Sequence, residues 1–439
     1  MRTVLRRIAL VLAAVVTVLL VPGVGATVSA LATFRALNAP GPQRAAPATS
    51  PVPHDPAKPT VVIVVGNAGA VVSDTLAPYE ILAATGRFNV YTVAPDREPK
   101  PLTGGLDLVP DLSFADLAAR LGGAAPDLVV VPAMPDTGEA TNQPVTTWLR
   151  ELAARGTQLL SVCNGAGVLA SAGLLDGRPA TAHWLKLESY ADDYPAVQWQ
   201  RGKRYVDDGT VVTTAGILSG IDGTLHLVER LAGPAVAADA AKAIGWRHYG
   251  TPVPVTTPAA MPDAVAIVNA GFRWNPAEIG VLVPEGVGEI ELASVFDTQG
   301  ESLSSRTLAV STDGGPVRSR HGLTFLPRAK LADAAPDLDR LLVPGATRGV
   351  ATPPGGPAPE YVHDRPGFAY DVAVSGLARD TDVATARWTA KALELPTDDV
   401  VFDGPAWPWW PTAVPVVLVL LGVGGVVLVR RRRRQGAQG

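Results

Sequence analysis

Apolar residues divide this chain into two apolar ends and a central region of alternating character. Residues 8–34 and 412–429 carry no charged side chain, and each run is long enough to span a bilayer. Between them, short apolar runs such as 60–65, 127–131 and 157–162 alternate with stretches of helical length. This alternation predicts an α/β fold, a doubly wound parallel sheet with its site at the carboxyl ends of the strands.

The order of predicted elements occurs twice. After an Ala- and Pro-rich stretch over 234–262, the apolar runs 279–283 and 341–345 repeat the opening pattern of the first region. We interpret this as a duplication with a degenerate second copy. The second copy has no cysteine and is expected to be catalytically silent, with a single helix over 381–393 near its end.

These patterns divide the chain into eight segments. They are an N-terminal anchor or signal (1–34), an Ala/Pro-rich linker expected to be disordered (35–59), the first α/β domain (60–233), a second linker (234–262), the degenerate repeat (263–396), a juxtamembrane segment (397–410), a transmembrane helix (411–430) and a basic tail (431–439).

Charges flanking the two apolar ends predict the orientation in a membrane. Arg2, Arg6 and Arg7 precede the first run, and residues 430–434 are five consecutive arginines after the second. Because positive flanks stay inside, both ends are predicted to be cytoplasmic and the main domains extracytoplasmic, at the cell membrane. The first run also fits a cleaved signal peptide ending near Ala30.

Composition and motifs exclude some classes of binding partner and cofactor. The net charge is only -4 and 47% of residues are hydrophobic, which does not fit a polyanion binder. The single cysteine allows no intrachain disulfide, and neither metal-ligand spacing nor a phosphate-binding loop is present. We therefore expect no metal, no cofactor and no nucleic-acid partner, but a small-molecule substrate or ligand and the lipid bilayer.

The sequence around Cys163 predicts a nucleophile elbow. An apolar strand ends just before Cys163, and Gly165 and Gly167 open a helix just after it. At such a turn the side chain stands above the carboxyl edge of the sheet, and the helix dipole favours the reactive thiolate. Cys163 is thus a candidate nucleophile, and the alternative is a small buried apolar residue.

Several motifs in order resemble the ThiJ/PfpI family of the class I glutamine amidotransferase-like superfamily. The closest likeness is to the subgroup that also forms ligand domains of AraC-type regulators. The motifs lie at 74–80 (DTLAPYE), 161–166 (SVCNGA), 173–178 (GLLDGR), 181–184 (TAHW) and 213–222 (TTAGILSGID). The resemblance covers the first domain and implies a flavodoxin-like sheet, often paired with a second subunit. We expect a homodimer or an intrachain pseudo-dimer.

The resemblance also implies a catalytic group of Cys163, Asp74 and His183. Their matching positions in the family bring a thiol, a carboxyl group and an imidazole together. Oxyanion donors would be the backbone N–H of Asn164 and one from Ala133 or Met134, where relatives usually carry Gly-Gly. Asp74 has an alternative role as a helix N-cap, and His183 as a buried structural residue.

Two classes of function follow from these residues. The first is a membrane-anchored cysteine hydrolase, hydratase or amidase acting on a small carbonyl or nitrile compound. The alternative is a non-catalytic module that binds a small molecule or senses redox state through Cys163.

Overall fold

The computed structural model describes residues 2–47, 53–250 and 262–435. The first half contains a long N-terminal helix followed by alternating strands and helices. These elements are α1 (Arg2–Leu37), β1 (Thr60–Val64), α2 (Val72–Ala84), β2 (Asn89–Ala94), β3 (Lys100–Leu102), β4 (Leu106–Val109), β5 (Leu112–Ser113), α3 (Phe114–Arg120), β6 (Leu128–Val131), α4 (Gln143–Ala154), β7 (Gln158–Ser161), α5 (Gly165–Ser171), β8 (Pro179–Ala180), α6 (Leu187–Asp193), β9 (Gln198–Trp199), β10 (Tyr205–Asp207), β11 (Val211–Thr214), α7 (Ser219–Ala232) and α8 (Pro234–Ala243).

The first half forms an α/β fold around a seven-stranded sheet in the order β10-β11-β7-β6-β1-β2-β5. All neighbouring strands are parallel except β10 and β11. Every residue of β1 is buried, as expected for a central strand that helices cover on both faces. The loops after β1, β6 and β7 therefore meet at one edge of the sheet, where the site is built.

The second half repeats much of this arrangement with fewer elements. It contains α9 (Ala264–Phe272), β12 (Ala277–Leu282), α10 (Glu289–Glu301), β13 (Ser305–Ser311), β14 (Val317–Arg318), β15 (Thr324–Leu326), β16 (Ala329–Lys330), α11 (Leu331–Ala334), β17 (Arg340–Val343), β18 (Pro359–Tyr361), α12 (Ala369–Asp380), α13 (Val383–Leu393) and α14 (Trp409–Gln435). Its sheet has the order β16-β13-β12-β17-β18 and is parallel throughout.

The expected linker over 234–262 is wrong for its first part. Pro234 opens helix α8, a position where proline fits the helix backbone, and alanines with high helix propensity follow it. Ala237, Ala240 and Ala241 are buried, and α8 packs against α7. Residues 251–261 lie outside the described part. The second half also has two helices near its end, α12 and α13, where we expected one.

The expected disordered linker over 35–59 is likewise wrong where the structure describes it. Arg44 donates hydrogen bonds to the carbonyls of Leu326 and Pro327 at 3.1 and 2.8 Å, so this segment lies on the folded body. The backbone N–H of Asp55 donates to Asn89 at 2.8 Å. Residues 48–52 lie outside the described part.

The two halves are joined by reciprocal contacts. Hairpins β3-β4 and β14-β15 form one four-stranded sheet in which β4 pairs antiparallel with β15. The helices α2 and α10 pack together at the centre. Glu80 of α2 accepts the backbone N–H of Ile290 at 2.6 Å, and Asp297 of α10 accepts that of Ser73 at 3.1 Å. Each helix thus receives a carboxylate of the other half at its N-terminus, where the helix dipole favours negative charge.

Helices α1 and α14 contain the apolar ends of the chain. The stretches Ala14–Leu37 and Trp409–Leu428 are long and apolar enough to cross a membrane, and little of either is buried in the protein. The two helices pack on each other and on α9. On α9 and just after it, Ile267 and Trp274 remain more than half exposed.

Candidate functional site

Cys163 lies on a strained turn between β7 and α5. Its φ is 55°, a left-handed conformation that a residue with a side chain adopts at a cost. The hydroxyl of Thr214 accepts its backbone N–H at 3.3 Å. A Cβ on Gly165 would approach the carbonyl oxygen of Val131 to 2.0 Å, so only glycine lets α5 start this close to β6. The turn has the geometry of a nucleophile elbow.

Asp74 supplies a buried carboxyl group in the first turn of α2. Its Oδ2 accepts the backbone N–H of Ala133 at 3.0 Å, while its Oδ1 has no hydrogen-bond partner among the described residues. The alternative role of Asp74 as an N-cap is wrong, because the N-cap position is Val71 and the Asp74 carboxyl group accepts the N–H of Ala133 instead. Burial raises the pKa of Asp74 well above its ordinary value, although the Ala133 bond opposes this rise.

The Cys163 thiol is buried, with 4% of the residue exposed. Burial raises the pKa of the Cys163 thiol well above its ordinary value, and the nearby carboxyl groups of Asp74, Glu301 and Glu394 raise it further. The backbone N–H of Asn164 acts in the opposite direction. Desolvation and the three acids therefore oppose the thiolate that the helix dipole was expected to favour.

The family model described as the DJ-1/PfpI family matches residues 59–230. Isonitrile hydratase of Pseudomonas putida is 35% identical over 162 residues, which are 36% of this chain and 67% of that protein. The chain belongs to the DJ-1/PfpI family. The transcriptional regulator CdhR of Pseudomonas aeruginosa is 30% identical over 168 residues, 36% of this chain and 46% of the regulator.

Solved structures of this family also match the chain. A ThiJ/PfpI family protein from Pseudomonas syringae is 25% identical, with a TM-score of 0.39 over 48% of this chain and 83% of that one. Drosophila melanogaster DJ-1beta is 23% identical, with a TM-score of 0.37 over 43% of this chain and 97% of that one.

The expected oxyanion donors of this DJ-1/PfpI chain are only partly available. The N–H of Ala133 is already bonded to Asp74. Met134 is buried, and its sulfur accepts the side-chain amide of Asn142 at 3.3 Å. Asn164 precedes α5 directly, and its backbone N–H lowers the pKa of the Cys163 thiol. Of the expected donors, the Asn164 N–H acts on the sulfur and the Ala133 N–H is taken by Asp74.

His183 is buried, but its two ring nitrogens are already engaged. The Nε2 atom lies 2.8 Å from the carbonyl oxygen of Ala392 in α13, and Nδ1 lies 3.3 Å from the N–H of Leu185. This network assigns a neutral ring that donates from Nε2 and accepts at Nδ1. Burial also lowers the pKa of His183. The expected proton exchange between His183 and the thiol therefore has no free nitrogen to use.

The second half contributes Glu394 to this region. Glu394 follows α13 in a left-handed conformation, with φ 54°. Its carboxylate accepts the backbone N–H of Gly216 at 2.9 Å and the hydroxyl of Ser219 at the start of α7. A Cβ on Gly216 would clash with this side chain, so the glycine makes room for it. The end of α13 thus covers the site.

An open cavity of 920 Å³ lies over the loops after β1 and β6. Asn67 and Ala68 line it from the first loop and Pro135 from the second, while residues 38–45 cover it. Cys163 does not line this cavity.

Among the described residues, one group has the spacing of metal ligands: Glu80, Glu289 and His321, with ligand atoms within 4.8 Å of one another. His321 Nδ1 lies 2.8 Å from Glu289 Oε2, and the backbone N–H groups of His321 and Ile290 donate to Glu289 and Glu80. Arg320 donates to Glu80 at 3.3 Å. The guanidinium places a positive charge where a cation would bind. The group therefore fits an ion-pair network between the halves better than a metal centre.

Strand pairing in the second half places another set of residues at positions equivalent to those of the elbow. Val131 pairs with Ser161 two residues before Cys163, and Val343 pairs with Tyr361 two residues before His363. The next hydrogen bonds also correspond, from Val162 to Val131 at 3.0 Å and from Val362 to Val343 at 3.1 Å. His363 therefore occupies the position of Cys163.

The acid and the loop after the strand correspond as well. Glu291 is the third residue of α10, as Asp74 is of α2, and Gly345 follows Val343-Pro344 as Ala133 follows Val131-Pro132. Sequence reasoning missed His363 and Glu394. The repeated Val-Pro pair was the available signal for the first, and no local motif marks the second.

Proposed function

We propose that the first half hydrates a small uncharged compound with an electrophilic carbon, using Cys163 and Asp74. The observation that carries this proposal is the unpartnered Oδ1 of Asp74, a buried carboxyl group near a buried thiol on a strained elbow. Raised pKa values favour the neutral forms of both groups, which suits an uncharged substrate. The named relative isonitrile hydratase suggests isonitriles as the substrate class.

The reaction on an isonitrile R–N≡C balances without a cofactor. The Cys163 sulfur bonds to the terminal carbon while the Asp74 carboxyl gives that carbon its proton. The thiol proton then passes to the Asp74 carboxylate, so that S–H has added to the carbon. Water adds to the resulting C=N carbon, the C–S bond breaks, and the thiol regains a proton as the N-substituted formamide leaves.

The test is hydration of cyclohexyl isonitrile by the full chain in detergent, with formamide measured by chromatography. We expect Cys163→Ala to lose about 10³-fold or more of the rate, because no covalent step remains. Ser171→Ala, at the half-buried last residue of α5, is the matched control. Formamide production that survives Cys163→Ala would contradict the proposal.

A second candidate is a module that binds a small molecule or senses redox state without catalysis. The engaged nitrogens of His183 and the carboxylate of Glu394 support it, because both fill space that a reaction would use. The regulators among the relatives support it as well. Absence of turnover on isonitriles, nitriles and aldehydes, together with saturable stabilisation by one of them, would favour this candidate.

We also propose that α1 and α14 anchor the chain in a membrane, with both ends cytoplasmic. Their length and apolar surface support this, as do the arginines beside them and the exposed Ile267 and Trp274 close to both helices. The full chain should remain in the membrane fraction after an alkaline carbonate wash. External protease should reach residues 58–404 in intact cells, and protection of this region would contradict the orientation.

The second half is proposed to be a degenerate copy of the first, joined to it as an intrachain pseudo-dimer. The reciprocal bonds of Glu80 and Asp297 and the antiparallel pairing of β4 with β15 support this. The interface is then already occupied within one chain. Sedimentation in detergent should give a protein monomer of 45.5 kDa, and a dimer would contradict the proposal.

A further inference from the structure

We propose that the second half holds a binding site for a small organic carboxylate, at the position that corresponds to the Cys163 site. This inference goes beyond hydration and does not depend on Cys163. The site is a cavity of 450 Å³ between the halves. Its walls include His363, Gly345 and Glu291 of the second half and Gly245 of the first.

The charges around this cavity favour an anion. Four cationic side chains line it, and two carboxyl groups oppose them. Glu291 is paired with Arg320 at 2.7 Å, and burial together with Glu289 raises the pKa of the second acid, Glu80, to about 7. The cations are Lys242, Arg320, Arg348 and Arg365, and the last of these is exposed at the rim. Positive charge therefore remains for a ligand.

The Glu394 carboxylate at the Cys163 site shows how a ligand carboxylate would bind at the second site. At the Cys163 site, Glu394 follows α13 and its carboxylate lies at the start of α7, bonded to Gly216 and Ser219. At the second site, Gly245 lies two residues after the end of α8, where Glu394 lies one residue after α13, and it too has a left-handed φ, here 75°. Equivalent bonds close both helix ends, from Trp246 to Ala241 and from Leu395 to Ala390.

Gly245 has no side chain, so the space that Glu394 fills in one site stays open in the other. A Cβ on Gly245 would find its nearest neighbour, the Cα of Phe368, at 3.5 Å, which is ordinary contact. Phe368 is the residue just before α12. A ligand carboxylate entering here would meet the start of α12, as the carboxylate of Glu394 meets the start of α7.

The test uses the full chain in detergent and succinate as the probe, with binding followed by calorimetry at constant ionic strength. We expect wild type to bind succinate, Arg365→Gln to bind at least 10-fold more weakly, and Gly245→Glu not to bind. Glu is tolerated at the left-handed position of Glu394, so Gly245→Glu should fold. Arg306→Gln, which removes an exposed arginine paired with Glu278 elsewhere, is the matched control.

Each result decides the proposal. Equal succinate affinity in Arg365→Gln and wild type would overturn it, as would the absence of binding by wild type. Sodium phosphate is the comparison anion, and binding of phosphate without succinate would overturn the carboxylate class. If Gly245→Glu does not fold, the succinate affinities of Arg365→Gln and Arg306→Gln still decide the proposal. Both arginines are exposed at the surface, so neither substitution should prevent folding.

Discussion

The two halves build corresponding sites from different residues. The first has Cys163 on the elbow, Asp74 on the helix and the carboxylate of Glu394 above them. The second has His363 and Glu291 at those positions, and glycine where Glu394 would be. One site is therefore acidic, buried and filled, whereas the other is an open cavity with cations around it.

This difference shows how one framework gives two chemical environments. The strands, the helix starts and the reciprocal bonds between α2 and α10 are shared, so they position both sites. Only the side chains at a few corresponding positions decide whether a site excludes water or admits an anion. The acids near Cys163 raise its pKa, whereas four cationic side chains line the second cavity.

The largest expected effect comes from Asp74→Asn. It should lower the rate of isonitrile hydration by about 10²- to 10⁴-fold, because the amide cannot deliver a proton. Glu291→Gln changes the corresponding acid of the second half and should leave the rate unchanged. Equal losses in the two variants would show that the halves do not differ as described.

A smaller effect concerns the pH dependence of stability. Burial raises the pKa of Asp297 from its ordinary value of 3.8 to about 6. Because the folded-state value is the higher one, the neutral carboxyl stabilises the fold at low pH, and this contribution is lost as pH rises from about 4 to 6. The loss is about 3 kcal/mol at roughly 1.4 kcal/mol per pKa unit.

Asp297→Asn should remove this dependence. The unfolding free energy of wild type minus that of the variant, measured by urea unfolding, should be about 3 kcal/mol lower at pH 7 than at pH 4. Asp313→Asn, an exposed residue, is the control. The reciprocal variant Glu80→Gln should behave similarly but over a window that reaches pH 7, since burial and Glu289 raise the pKa of Glu80 to about 7. Parallel pH profiles for wild type and Asp297→Asn would contradict the account.

The smallest effect is expected for Glu394→Gln. The amide oxygen can still accept the N–H of Gly216, but the negative charge that raises the pKa of Cys163 is gone. Alkylation of the thiol by iodoacetamide at pH 8 should become a few-fold faster, with Glu278→Gln as the control. An unchanged rate would mean that Glu394 does not act on the thiol.

Much of the fold could be predicted from the sequence, because apolar runs and turn residues mark strands and helices locally. The parallel sheet around β1 and the turn at Cys163 were predicted in this way, whereas the family was recognised from several sequence motifs. The protonation state of Cys163 was not, because Glu301 and Glu394 come from more than a hundred residues away. Helix α8 was missed because alanine and proline occur in linkers and at helix starts alike.

The pH dependence of Cys163 alkylation in wild type and Asp74→Asn is the most direct test of the central claim, that Cys163 and Asp74 form a buried neutral pair. The account predicts a wild-type thiol that titrates above the free-thiol value of about 8.5, and a lower pKa in Asp74→Asn. A wild-type thiol titrating below about 7, or a pKa unaffected by Asp74→Asn, would contradict it.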